Sequence, residues 1–131
     1  MRFDEVCFLA VEDVHALHED ALAAAGGKTG LLSEGLIVSA VMAPQNSYCT
    51  SLAEMAATVA FGIAKNHGYQ DANKRTAFSA MKAFLGMNGY RLELDDLKWA
   101  SIMEGVADDS VSRLALAQHL VTEMGGDVAI E

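Results

Sequence analysis

The sequence predicts an all-α protein: a single-domain, irregular bundle of six helices with one short extended flap. Apolar residues recur at intervals of three and four through most of the chain, which is the spacing of one face of an α-helix. Glycine pairs, a single proline and short polar stretches divide this pattern into six segments. At 131 residues with 52% hydrophobic side chains, the chain is long enough for one core, and we expect one domain over 1–131.

The first two helices are separated by glycine and followed by the flap. The apolar pattern of the first helix runs over 14–25, and Gly26 and Gly27 end it. A second helix is predicted to begin near Ser33 and to stop before Pro44, because proline lacks a backbone donor and its ring clashes with the preceding turn. The polar residues 45–50 then form the flap.

The next two helices enclose the polar segment that carries most of the chemistry. Ser51 and Glu54 form a capping box, in which the serine accepts from the third helical N–H and the glutamate reaches back. The helix that follows is apolar on most sides, so we expect it to be the buried central helix, running to about Asn66. A fourth helix begins around Asn73 and ends at Asn88-Gly89.

The last third of the chain predicts a connection and two more helices. Residues 90–94 are interpreted as a short strand or an extended link. Asp95 or Asp96 caps the fifth helix, and Ser110 caps the sixth. The tail from Asp127, which follows a glycine pair, is expected to fray.

Charge and composition exclude several classes of function. The formal net charge is −9 and the sequence has no basic stripe, so we expect no nucleic-acid binding. The basic residues that lie near one another are Lys65, Lys74 and Arg75, a local cationic spot that suits a small anionic ligand. The N-terminus carries acids where a signal peptide needs a basic region, and no apolar run approaches the ~20 residues of a membrane span. We therefore expect a cytoplasmic protein without membrane contact.

The segment from His67 to Arg75 is unlike a plain helix connector. It holds an imidazole, a carboxylate, an amide, an ammonium and a guanidinium within nine positions, whereas connectors favour Gly, Pro, Asn and Ser. Lys74 and Arg75 fall in the first turn of the next helix, whose free N–H groups already make that end positive; each such placement costs about 0.3–1 kcal/mol. A bound anion would reverse that cost. The segment therefore predicts a phosphate site formed by Asn73, Lys74, Arg75 and main-chain N–H groups.

Asp71 and His67 add a metal ligand and a base to this site. A carboxylate beside a phosphate site is what Mg²⁺ favours, because that ion binds one or two carboxylates together with substrate phosphates. A histidine can accept a proton from a hydroxyl as the hydroxyl attacks. Tyr69 is expected to turn inward and anchor the segment, while His15 and His18 have no paired acid in view and are interpreted as structural or exposed.

Each of these residues also has a plain structural interpretation. His67 can close a helix, Asp71 can be a turn residue, Asn73 can be an N-cap, and the two cations can be solvated surface charges. The joint occurrence favours a site, because these separate interpretations leave Lys74 and Arg75 at the positive end of a helix without a reason.

The same residues resemble a known family. The pattern His67-x-Tyr69-x-Asp71-Ala72-Asn73-Lys74-Arg75-Thr76 is similar to the signature of the Fic/Doc superfamily, in its Doc (death-on-curing) branch. The similarity covers about 8–94 and implies the Fic/Doc fold. Tyr69 departs from the common phenylalanine, which adds a hydroxyl that needs a partner.

Lys74 favours one branch of chemistry. Fic proteins that transfer AMP typically carry glycine there and a second arginine further along, where this chain has Ser79. The resemblance to Doc toxins implies ATP and Mg²⁺ as cofactors and transfer of the γ-phosphoryl group to a threonine of elongation factor Tu, which halts translation. It also implies that His67 is the general base, that Asp71 holds Mg²⁺, and that ATP phosphates are bound by Asn73, Lys74 and Arg75.

Two other functions stay open at this point: an AMP transferase on the same scaffold, and a non-catalytic partner in a toxin–antitoxin complex. Some Fic proteins carry an inhibitory helix within their own chain, whereas the resemblance to the Doc branch implies restraint in trans by an antitoxin of the prevent-host-death type. Gln45, Asn46, Ser47 and Tyr48 correspond by position to the family's target-docking flap, and a plain connector is an equal alternative.

Overall fold

The structure, a computed structural model, describes residues 1–46 and 48–131. Within those ranges the all-α prediction is confirmed, with six α-helices after one turn of 3₁₀ helix at Phe3–Glu5. The helices are α1 (Val11–Ala25), α2 (Glu34–Asn46), α3 (Leu52–Asn66), α4 (Asn73–Met87), α5 (Asp96–Ala107) and α6 (Arg113–Met124). No helix in the described ranges is long and apolar enough to cross a membrane.

The predicted central helix is confirmed, because α3 packs against α2, α4, α5 and α6. Small side chains along α3 allow close approach by its neighbours. A β-carbon added at Gly62 would lie 2.9 Å from Cβ of Ala40 on α2, so these two helices meet almost backbone to backbone. The result for function is that the ends of α3 and α4 on either side of the polar segment are fixed to the core.

The helix starts follow the predicted caps with one change of partner. Asp95 caps α5 by accepting hydrogen bonds from two main-chain N–H groups at 2.9 and 3.0 Å, and the preceding 90–94 is an extended link without strand pairing among the described residues. Ser51 Oγ accepts from Glu54 N–H at 3.2 Å, as expected. The Glu54 carboxylate instead accepts from the N–H and hydroxyl of Thr50, both at 3.1 Å. The bond from the glutamate of the capping box is therefore made to the residue before the N-cap, Thr50, and not to Ser51.

The prediction that the second helix stops before Pro44 is wrong. α2 continues through Pro44 to Asn46. Proline in the last turn removes one helical hydrogen bond, and burial of its ring against the core offsets that loss. Gln45 and Asn46, predicted as flap residues, thus belong to the helix, and the predicted flap residue Ser47 lies outside the described residues. Tyr48 is 97% exposed in a stretch, 48–50, without regular secondary structure.

The predicted cap of the sixth helix is also wrong. Ser112 is the N-cap of α6, with its Oγ accepting from Ala115 N–H at 3.1 Å. Ser110 instead belongs to the turn that ends α5, where its N–H and that of Val111 both donate to the carbonyl of Gly105. Because these two hydrogen bonds keep Ser110 in the turn, α6 is capped two residues later than predicted.

The tail after α6 is bound rather than frayed. Leu52 N–H donates to the carbonyl of Val128 at 2.8 Å, and Ile130 N–H donates to the carbonyl of Thr50 at 2.9 Å. The tail therefore pairs with the chain just before α3, which provides backbone partners that the local sequence could not reveal.

Candidate active site

The predicted segment lies between the last residue of α3, Asn66, and the first of α4, Asn73. Both ends of this connection have left-handed backbone conformations on residues that are not glycine, with φ of 50° at His67 and 65° at Ala72. Each such residue costs about 1–2 kcal/mol relative to right-handed helix. Tertiary contacts must therefore hold the segment, which we call the motif loop (residues 67–72), in this shape.

The first of those contacts join the motif loop to the chain before α2. The carbonyl of Gly68 accepts from Leu32 N–H at 2.8 Å and from Ser33 N–H at 3.0 Å. Gln70 N–H donates to the carbonyl of Gly30 at 2.9 Å. This pairing holds the middle of the loop through hydrogen bonds between main-chain groups.

Tyr69 anchors the loop in the core, as predicted, with 2% of its surface exposed. Its hydroxyl lies 2.7 Å from Nδ1 of His15, and the ring of His18 stacks on it with centroids 3.7 Å apart and planes 6° from parallel. Burial, with a further contribution from the negative charge of Glu34, raises the pKa of Tyr69 to about 12. The phenol therefore stays protonated at physiological pH.

The expectation that His15 has no paired acid is wrong. Nε2 of His15 lies 2.9 Å from Oε2 of Glu34, which is contributed by α2. His18, which is buried, reaches the carbonyl of Asp71 through Nε2 at 2.9 Å. Sequence reasoning missed these contacts because the partners are 19 and 53 positions away; the spacing of three between the histidines, which puts both on one face of α1, was the available signal.

Asn73 holds the loop through its side chain. Its Oδ1 accepts from Tyr69 N–H at 3.2 Å, and its Nδ2 donates to the Tyr69 carbonyl at 2.9 Å. With 8% of its surface exposed, the amide is committed to the loop. A contact from Asn73 to a phosphate would therefore come from its main-chain N–H.

Asp71 faces the turn after α1. Its carboxylate accepts from Lys28 N–H at 3.0 Å and from Ala72 N–H at 2.8 Å. The bond from Lys28 first, then that from Ala72 and the charge of Arg75, hold the pKa of this carboxyl below its ordinary value. A β-carbon at Gly27 would meet Asp71 Oδ2 at 2.9 Å, so this close approach requires glycine. A carboxylate has about four acceptor positions and these bonds use two, which leaves room for a cation.

Lys74 and Arg75 lie in the first turn of α4 as predicted, and both have protein partners. Lys74 Nζ is 2.6 Å from Oε2 of Glu104 on α5. Arg75 donates to the carbonyls of Ala21 and Gly26, at 2.8 Å each, and so neutralises the C-terminal end of α1. The end of α1 thus supplies a structural reason for one cation that the sequence alone left unexplained. Arg75 still has three of its five N–H donors beyond these two bonds.

The predicted site residues fall into two groups. His67, exposed at the end of α3, shares one short connection with Asp71 and the first turn of α4. Of the predicted docking residues, Gln45 and Asn46 belong to α2 and Tyr48 to the irregular stretch after it. A cavity of about 660 Å³ borders Lys74 and Arg75, with Trp99 and Phe78 among its apolar walls.

Comparison with known proteins identifies relatives of this chain. A sequence model of the Fic/DOC family matches residues 8–85. The chain is 32% identical over 117 residues to "Protein kinase doc" of Escherichia phage P1, covering 86% of this chain and 91% of that protein. It is 37% identical over 87 residues to "Toxin Doc" of Mycolicibacterium smegmatis, covering 59% of this chain and 66% of that protein.

The chain therefore belongs to the Fic/DOC family. Both relatives carry the Doc name, so the predicted membership of the Doc branch is confirmed.

Proposed function

We propose that this protein is a Doc-type toxin that transfers the γ-phosphoryl group of ATP to a hydroxyl of a translation factor, elongation factor Tu. One relative is named a protein kinase and the other a toxin, which supports both halves of the proposal. An enzyme acting on that factor works in the cytoplasm.

The start of α4 is the observation that carries the proposal. Ala72, with only a methyl side chain, cannot cap the helix, so the first N–H groups are available to an anion. Lys74 adds an ammonium to the same turn, and Asp71 lies two residues before the helix begins. Phosphoryl transfer needs mainly alignment and charge neutralisation, and these groups supply both from one short segment.

Each residue of the segment has a role in this proposal. The ATP phosphates are bound by the N–H of Asn73, by the ammonium of Lys74 after it leaves Glu104, and by the spare donors of Arg75. Asp71 would hold Mg²⁺, which when bound supplies positive charge for the phosphates. His67, exposed to an incoming protein, accepts the proton of the attacking hydroxyl.

Mass spectrometry of elongation factor Tu, after incubation with the purified protein, ATP and Mg²⁺, tests the reaction. We expect a phosphate adduct. An adenylyl adduct would replace the proposal with AMP transfer, and an unmodified factor would remove this target. The His67→Ala variant should lose the adduct, because the general base is missing, whereas Gln70→Ala, an exposed change in the same loop, should keep it.

Growth on expression tests the toxin half of the proposal. Expression should arrest bacterial growth, and His67→Ala should abolish that arrest; arrest that survives the change would favour a non-catalytic partner.

We further propose restraint by an antitoxin of the prevent-host-death type. Co-expression with such an antitoxin should restore growth and yield a co-purifying complex.

A further inference from the structure

The motif loop is held on its α1 side by a cluster of four side chains, which we call the anchor cluster: His15, His18, Glu34 and Tyr69. Tyr69 is two residues from His67 and two from Asp71, so it anchors the loop midway between these two predicted site residues. The cluster is built from three separate parts of the chain, α1, α2 and the loop. It lines a cavity of about 460 Å³ beside the loop.

One tautomer of His15 gives every hydrogen bond of the anchor cluster a donor and an acceptor. In the tautomer with its proton on Nε2, His15 donates to Oε2 of Glu34 at 2.9 Å. Nδ1 of His15 is then an acceptor, and the Tyr69 hydroxyl donates to it at 2.7 Å. The carbonyl of Asp71 likewise accepts from Nε2–H of His18. In each of these bonds a donor is thus matched with an acceptor.

Two features separate this arrangement from ordinary core packing. A phenylalanine at 69 would fill the same space and stack on His18, but it could not bond to His15, so the hydroxyl adds a directional tie that packing does not need. The second tie, from His18, ends on the main chain of Asp71 itself. Both ties act on the connection whose ends, His67 and Ala72, have left-handed backbone conformations.

We infer that the Tyr69 hydroxyl, His15 and Glu34 are positioning residues, which hold the motif loop in the shape that presents His67 and Asp71. The effect on catalysis rests on the proposed function; the effect on loop order does not. None of the three touches substrate in this scheme, because they act through the loop backbone.

Amide hydrogen exchange tests the positioning without any need for activity. In Tyr69→Phe, the N–H groups of Gln70 and of Leu32, which bond across the loop, should exchange about 2- to 12-fold faster, the factor that corresponds to one net hydrogen bond. Amides in the middle of α3 report global unfolding and serve as the internal reference. Tyr90→Phe removes the same hydroxyl outside the loop and should leave these rates unchanged.

A double-mutant cycle tests whether the Tyr69 hydroxyl and His15 hold the loop through the hydrogen bond between them. The double variant of Tyr69→Phe and His15→Phe should exchange no faster than His15→Phe alone, because that change has already removed the bond between Tyr69 and His15. Factors that multiply in the double variant would overturn the inference, as would loop exchange in Tyr69→Phe that matches Tyr90→Phe.

Kinetics then tests the consequence for catalysis. The kcat for phosphate transfer should fall in Tyr69→Phe, by at most the factor by which exchange rises, because kcat follows the fraction of protein with the loop in place; Tyr90→Phe should leave kcat unaffected. Faster loop exchange with an unchanged kcat would refute the catalytic part. If the natural protein transfers no phosphate, the proposed function fails, and the exchange experiment still decides whether the cluster holds the loop.

Discussion

Replacement of Glu104 by glutamine should make the protein bind ATP more tightly. Lys74, which we propose as a phosphate ligand, is paired with Glu104 across α4 and α5 at 2.6 Å. Binding ATP requires breaking that pair, so the free energy of the pair is subtracted from the free energy of binding. Glu104→Gln removes this competition while keeping nearly the same side-chain shape.

The size of the effect follows from exposure. The side chains of Lys74 and Glu104 are 45% and 64% exposed, and exposed ion pairs are worth about 0.2–1 kcal/mol because water screens them. The dissociation constant for ATP should therefore fall about 1.4- to 5-fold. Raising the salt to about 1 M should shrink the difference between variant and natural protein, since the Debye length falls to about 3 Å.

Calorimetric titration with ATP and Mg²⁺ measures this change. Glu123→Gln is the matched control, because it removes one negative charge from another pair that involves a lysine of α5, Lys98. An ATP affinity that is unchanged or weaker in Glu104→Gln would refute the reasoning. So would an equal gain in a Lys74→Ala background, because the proposed effect passes through that lysine.

Two further predictions concern stability. Gly62→Ala should destabilise the protein by about 1–3 kcal/mol, because its new methyl would lie 2.9 Å from Ala40. Gly86→Ala should stabilise the protein by about 0.5–1 kcal/mol, because a methyl at this position on α4 meets nothing within 4 Å. Urea unfolding of both variants checks that the two changes in stability have opposite signs. Asp71 has a folded-state pKa below its ordinary value of 3.8, so its ionised form stabilises the fold above about pH 4 and that contribution is lost as pH falls through the lowered pKa. Asp71→Asn should therefore lower the urea midpoint at pH 7 and converge with the natural protein in acid, and a gap that persists or widens in acid would contradict this.

Local signals predicted most of the helical framework. The glycines after α1 and α6, the serine before α3 and the aspartate before α5 mark ends that depend on a few neighbouring residues, and the structure places them as predicted. Two of the errors occurred where contacts distant in the sequence determine the structure. Pro44 stays helical because its ring is buried, and the tail after Asp127 is ordered because it pairs with the chain before α3.

The motif loop shows the same division within the candidate site. The sequence determined which chemical groups are present and how closely they follow one another, because His67, Asp71, Lys74 and Arg75 are neighbours in the chain. Only the tertiary structure decided their partners: Glu104 for Lys74, and the end of α1 for Arg75. Those partners are 30 and 54 positions away, so helix packing and not local sequence sets what each group must release before it can bind a phosphate.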